Sequence, residues 1–265
     1  LLSRIDFHAL LQGLYSMNMI IRNLPRKFAS RAWTGLPWFA VAWFGVVALL
    51  PFTPAAAADP AAKPQPVNVR LFQAAEAGDA ALLRRLIAEG AAVDARDSRG
   101  RTPLLAATHA NRVDAARVLL DAGADVNLQD NIQDSAFLYA GAQGRLEILR
   151  LMLRPDAKSR PDFSVRNRYG GNALIPACHY GHVDTVRELL KTKIDVNHVN
   201  NLGWTALLET VILGDGSARY VEIARLLLAH GANASIADRN GVTPLAHARS
   251  RGHADIARLI EEARR

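Results

Sequence analysis

Asp97-Ser98-Arg99-Gly100-Arg101-Thr102-Pro103-Leu104 reads as a turn that runs straight into a helix. Thr102 followed by Pro103 is an N-cap followed by a proline at the first helical position, where the ring costs no amide hydrogen bond. The phrase closes on Leu119-Leu120-Asp121-Ala122-Gly123-Ala124-Asp125-Val126-Asn127, and it recurs. Asp97, Asp130, Asn167, Asn200 and Asp238 open successive copies at spacings of 33, 37, 33 and 38 residues. A period in this range predicts supersecondary units that cannot bury their own apolar face and therefore stack. Recurring residues then belong to the fold, and function is to be sought where the copies differ.

Within one copy, Leu104, Ala106 and Ala107 predict a short first helix whose small side chains let neighbouring units approach closely. Asn111, Gly144, Gly181, Gly214 and Gly252 align at its end, where a left-handed residue is expected. Val183, Val186, Leu189 and Leu190 form the inward stripe of a second helix. Asp114, Glu147, Asp184, Glu222 and Asp255 are expected to open the second helices, on the favourable end of the dipole. Gly123 and Gly231 are expected to stop them.

These fixed positions resemble the ankyrin repeat, and Asp238-Arg239-Asn240-Gly241-Val242-Thr243-Pro244-Leu245 is a second strong match. The resemblance covers roughly residues 68 to 265. It implies an all-α ankyrin-repeat solenoid of stacked helix-turn-helix units with β-turn or hairpin tips. Six units are expected: 68–96 as an N-terminal cap, 97–129, 130–166, 167–199, 200–237, and 238–265 as a C-terminal cap. The first lacks the Thr-Pro-Leu motif, and the last ends on Leu259-Ile260-Glu261-Glu262-Ala263-Arg264-Arg265, a polar face of the kind a terminal unit needs.

Two copies carry extra residues. Arg154 to Val165 lengthens the end of the third unit by four, and Asp215-Gly216-Ser217-Ala218-Arg219 is inserted after Gly214. Each reads either as a tolerated surface insertion, since longer loops cost little, or as a binding loop. The third turn is also weak, with Gln133 for Gly and Ser135-Ala136 for Thr-Pro. Pro176 falls early in a first helix, where it removes at most one hydrogen bond.

Residues 17–58 have the grammar of an export signal. Arg22, Arg26, Lys27 and Arg31 precede the 13-residue apolar run Trp38 to Leu50, and Ala56-Ala57-Ala58 offers an Ala-x-Ala site before Asp59. The run is shorter than the roughly 20 residues of a spanning helix. Cleavage and a periplasmic location are expected, the alternative being an uncleaved anchor in the inner membrane. Because residue 1 is Leu, Met17 or Met19 is the expected start, with 1–16 an upstream extension. Residues 59–67 read as a proline-rich linker.

Charge and composition narrow the function further. The chain carries 32 basic and 25 acidic residues, net +7; five of the bases and one acid precede residue 59, leaving a net +3. That is too mild to predict a nucleic-acid partner. The single cysteine, Cys178, cannot form an intrachain disulfide; it reads as a small buried side chain, with a reactive thiol the other reading. His179-x-x-His182 has metal-compatible spacing, but His182 repeats the Gly-His step of Gly252-His253 and reads as a structural histidine bonded within its loop. No metal, cofactor or catalytic constellation is expected.

What remains is binding. Arg99, Arg101, His109, Ile132, Arg168, Tyr169, His179, Tyr180, Leu202, Trp204, Ile212 and Arg239 vary on the expected concave surface of turn tips and first helices. Arg, Tyr and Trp dominate interface energetics, so the partner-binding candidates are Arg99, Arg101, Arg168, Tyr169, Tyr180, Trp204 and Arg239. Trp204 is open between packing and recognition. Tyr169, Tyr180 and Trp204 are expected to share a patch. The expectation is a monomeric, non-enzymatic module that binds a protein partner as adaptor, scaffold or stabiliser. An immunity- or inhibitor-type protein blocking a toxin or hydrolase through the same surface is the alternative. Membrane association is expected only if the signal is uncleaved.

Overall fold

The computed structural model describes residues 66–263. The expected upstream extension, the export signal and all but the last two residues of the linker lie outside them. Twelve helices form six antiparallel pairs among the described residues: α1 (Val67–Ala77) with α2 (Ala80–Ala88), α3 (Pro103–His109) with α4 (Val113–Asp121), α5 (Ala136–Ala142) with α6 (Leu146–Met152), α7 (Leu174–His179) with α8 (Val183–Leu190), α9 (Ala206–Leu213) with α10 (Ala218–Ala229), and α11 (Pro244–Ser250) with α12 (Ala254–Ala263). First helices pack on first helices and second on second along the stack. This is an all-α solenoid without strands among the described residues. The first helix begins at Val67, a residue inside the stretch read as linker, with Pro66 at its N-cap.

The opening residues of units two to six all do one job. The Oδ1 of Asp97 accepts the amides of Arg99 and Arg101 at 2.9 Å each. Asp130, Asn167, Asn200 and Asp238 hold the amides two and four positions on in the same way. The backbone closes the turn on both sides, Gly100 N–H donating to Asp97 O at 2.9 Å and Asp97 N–H to Arg101 O at 3.1 Å. This is a three-residue hairpin tip whose last loop residue must be left-handed. Gly100, Gly170, Gly203 and Gly241 meet that demand freely, whereas in the third unit Gln133 adopts φ 62°. Helix starts follow from the sequence as expected: the hydroxyls of Thr102, Ser135, Thr205 and Thr243 accept the amide three residues on. Asn172 caps α7 through Leu174 and Ile175.

Leu71, Leu83, Leu104, Leu119, Leu149, Leu174, Leu189, Leu207 and Ile223 run through one continuous core. A fully buried leucine contributes roughly 1.5–3 kcal/mol. The small residues do what was expected of them. A Cβ on Gly141 of α5 would lie 2.9 Å from both the Cβ and the carbonyl oxygen of Ala173, at the start of α7. On the loop side of the stack, polar side chains stitch unit to unit: Asp94 accepts the amide of Asp125, Asn127 that of Asp162, and Asn197 that of Asn233.

The fifth unit departs from the sequence reading. Gly214 is extended (φ −70°, ψ 157°), and Gly216 takes the left-handed position instead (φ 72°). Of the five inserted residues, Ala218 and Arg219 belong to α10, which is 12 residues long because it starts a turn early. Glu222 therefore does not open its helix, unlike Asp114, Glu147, Asp184 and Asp255, which lie in their first turns. The added turn buries Tyr220, whose hydroxyl donates to His179 O at 2.8 Å. The longer third unit is also tied down: Asn127 donates to Arg160 O at 2.9 Å, Ser159 Oγ accepts the Val126 amide, and Phe163 meets Phe137 edge-on at 5.8 Å.

Candidate functional site

The hairpin tips of units two to six project from one edge of the stack, and their second loop residues form a row: Arg99, Ile132, Tyr169, Leu202 and Asn240. Neighbouring tips are bonded through the backbone, Asn131 N–H to Arg99 O and Asn201 N–H to Tyr169 O. Ile132 is 53 % exposed and Tyr169 36 %. Arg168 lies over the Tyr169 ring, its guanidinium carbon 5.0 Å from the centroid, and reaches Asp134 at 3.4 Å. Arg239 donates to Asn201 O at 2.5 Å across the next step.

The acids of these turns are spent inward. Asp97 gives Oδ2 to Arg101 Nε at 2.8 Å, and Asp238 gives Oδ2 to the His247 ring at 2.8 Å. Burial pulls both carboxyls upward. Hydrogen bonds from the turn amides and from these side chains outweigh it and hold both below their ordinary value. Asp134 shifts the other way, raised by burial.

The first helices make a second strip away from the tips. His109 of α3 stacks on Tyr139 of α5 at 3.7 Å between centroids, and burial followed by the Arg101 charge lowers its pKa. At the far end of α7, His179 stacks on Tyr180 at 4.3 Å. Its Nδ1 lies 3.3 Å from Oε2 of Glu209, a buried carboxylate whose Oε1 accepts from Asn200 at 3.1 Å. Glu209 was missed by the sequence reading, although a lone charge in the helix Ala206–Leu213, whose one other polar residue is Thr210, is a visible signal.

The seven candidate residues do not form one patch. Arg99, Arg168, Tyr169 and Arg239 stand exposed along the tip edge. Arg101 does not: it is 8 % exposed and clamped between Asp97 and Glu76, each at 2.8 Å, so it is a buried inter-unit tie. Trp204 occupies the equivalent turn position and is half-buried, with its amide held by Asn200. Tyr180, 42 % exposed, sits at the C-cap of α7, whereas Tyr169 precedes that helix in the same unit. The two tyrosines thus flank one first helix rather than share a patch across units. Ile212 is buried.

The two histidines of the pair have separate surroundings, His179 beside Glu209 and His182 against the preceding unit. The ring of His182 lies against Gly144 of the preceding unit, where a Cβ would come within 2.7 Å, and it bonds to the Ala142 backbone there rather than within its own loop. Among the described residues no group of three His, Cys, Asp or Glu could hold a metal ion. Cys178 is fully buried, and burial pushes its thiol pKa well up, which removes the thiolate a reactive cysteine needs. No helix among the described residues is long and apolar enough to cross a membrane.

Models of the ankyrin repeat match residues 71–162, 137–220 and 202–239. The chain belongs to the ankyrin repeat family. It is 39 % identical over 188 residues to the Escherichia coli K12 ankyrin repeat protein YahD, spanning 71 % of this chain and 92 % of that one. A solved ankyrin repeat domain from Acinetobacter baumannii AYE is similar at 52 % identity and TM-score 0.70, over 73 % of this chain and 96 % of the other. The ankyrin repeat domain of Bcl-3, a member of the IκB protein family, is similar at 27 % identity and TM-score 0.66, over 73 % and 85 %. Ankyrin repeats are protein–protein interaction modules, and along the tip edge of this one the second loop residue differs in each of units two to six.

Proposed function

We propose that this ankyrin repeat protein is a non-enzymatic binding module exported to the periplasm, where it serves as adaptor, scaffold or stabiliser of an envelope protein. The observation that carries the binding surface is the exposed Arg168–Tyr169 pair. Arg168 lies over the Tyr169 ring, and the Tyr169 turn position carries a different residue in each of units two to six. Export is supported by the basic region, the apolar run from Trp38 to Leu50 and the Ala56-Ala57-Ala58 site.

Cell fractionation with intact-mass measurement tests the address. A soluble periplasmic species beginning at Asp59 is expected, and a membrane-bound species retaining residues 38 to 50 would sink it. Capture from envelope extract tests the surface. The full chain is expected to retain a specific partner that Tyr169→Ala loses, with the thermal melt unchanged. A captured hydrolase or toxin that loses activity on binding would make the chain its inhibitor instead.

A further inference from the structure

Of the five large apolar side chains exposed among the described residues, Ile132 and Tyr169 are second loop residues of the tips of units three and four, and Val199 directly precedes the tip of unit five. Arg99 stands at one end of this run and Arg239 at the other, with Arg168 stacked in the middle. Depth separates the charges. Arg99, Arg168 and Arg239 are exposed, Arg168 over the Tyr169 ring and beside Asp134 and Arg239 on the Asn201 carbonyl, while Asp97 and Asp238 are turned under their loops and held by backbone amides, Arg101 and His247. A carboxylate arriving from outside therefore meets arginine first, in a geometry suited to paired hydrogen bonds. By unit the edge reads cation, apolar, cation over aromatic, apolar, cation. A phosphate backbone would want unbroken positive charge, and the apolar steps and underlying acids deny it that.

We propose, resting on the protein-binding reading above, that this edge recognises an extended acidic segment of the partner protein lying along the stack. Carboxylates meet Arg99, Arg168 and Arg239, and apolar side chains meet Ile132 and the step formed by Val199 and Leu202. Packed helices sit about 8–10 Å apart and a chain in the extended polyproline-II form advances about 3.1 Å per residue with about three residues per turn, so one unit matches about three residues and every third side chain faces the stack. The segment then reads acid, apolar, acid, apolar, acid at three-residue intervals.

Fluorescence anisotropy of a labelled, end-blocked peptide of about thirteen residues with that spacing, titrated with the full chain, tests this. Binding is expected to be about tenfold or more tighter than for the same peptide with lysine in place of the acids, and to weaken with salt. It is also expected to exceed that of a peptide of equal composition with the acids clustered. Arg99→Glu combined with Arg239→Glu should reduce it about tenfold, with the circular-dichroism melt unchanged. Equal binding of spaced and clustered peptides, or equal competition by a single-stranded DNA of the same charge, overturns the proposal. If no peptide binds while Tyr169→Ala still abolishes partner capture, the acidic-segment proposal falls and the tip edge stands as the binding surface. If capture survives Tyr169→Ala as well, both fall.

Discussion

Arg99 and Arg101 stand two positions apart in one turn, and the fold gives them opposite work. The Arg99 side chain is 66 % exposed with Asp97 at 3.8 Å, a pair worth little in solvent. Arg101 is buried against two carboxylates, and its loss strands Asp97 in a half-buried turn. Arg101→Ala is expected to cost about 1.5–3 kcal/mol by urea unfolding and Arg99→Ala no more than about 0.5 kcal/mol; equal costs would contradict these placements. The acid limb of stability follows from the same turn. The folded Asp97 and Asp238 carboxyls are depressed, so their contribution is complete above the unfolded value of about 4 and is lost as pH falls through the lower folded values. Asn167 and Asn200 hold the equivalent amides without a charge. Asp97→Asn should therefore keep the turn and flatten the loss of stability below about pH 4. Urea midpoints measured against pH check this, and an unchanged slope would refute it. The positions of both arginines were legible in the sequence. The burial of Arg101 was not, because it depends on Glu76 of the preceding unit reaching it.

At the scale of elements, the third tip is the strained one. Gln133 at φ 62° adopts a conformation that costs an L-residue roughly 1–2 kcal/mol and glycine nothing steric. Gln133→Gly is expected to raise stability by about 0.5–1 kcal/mol, after allowing for the greater freedom of glycine in the unfolded chain. A shift of the urea midpoint in the opposite direction would show that the side chain makes a compensating contact. This weakness was readable from the copies, since Gln133 stands where the others carry glycine. The fifth unit was not readable in the same way. Aligning Gly214 with the other helix ends is natural in one dimension, yet the chain places Gly216 there so that Tyr220 can reach the core and the His179 carbonyl. An insertion that lengthens a helix and one that lengthens a loop look alike until the burial of a side chain such as Tyr220 decides between them.

Along the whole stack, the helices among the described residues pack within their own unit and against those of neighbouring units, so damage should stay local. Leu189→Ala removes a fully buried side chain from α8 and is expected to cost about 2–5 kcal/mol. Hydrogen exchange should show protection lost chiefly in units three to five and retained in the 68–96 cap; uniform loss would mean that the stack unfolds as one body. The sequence by itself determined the repeat, the tips and the helix starts, because those rest on local chemistry: a carboxylate or amide oxygen holding two amides, a hydroxyl capping a helix, a residue free to turn left-handed. It also marked most of the tip-edge residues, as positions the repeat does not fix. Only the tertiary structure decided which of them face outward. It buried Arg101 between units, put Tyr180 at the opposite end of α7 from Tyr169, and set Glu209 against His179 and Asn200. Each outcome depends on how one unit is laid against the next, and a side chain's burial in a stack is set by its neighbour's residues as much as by its own.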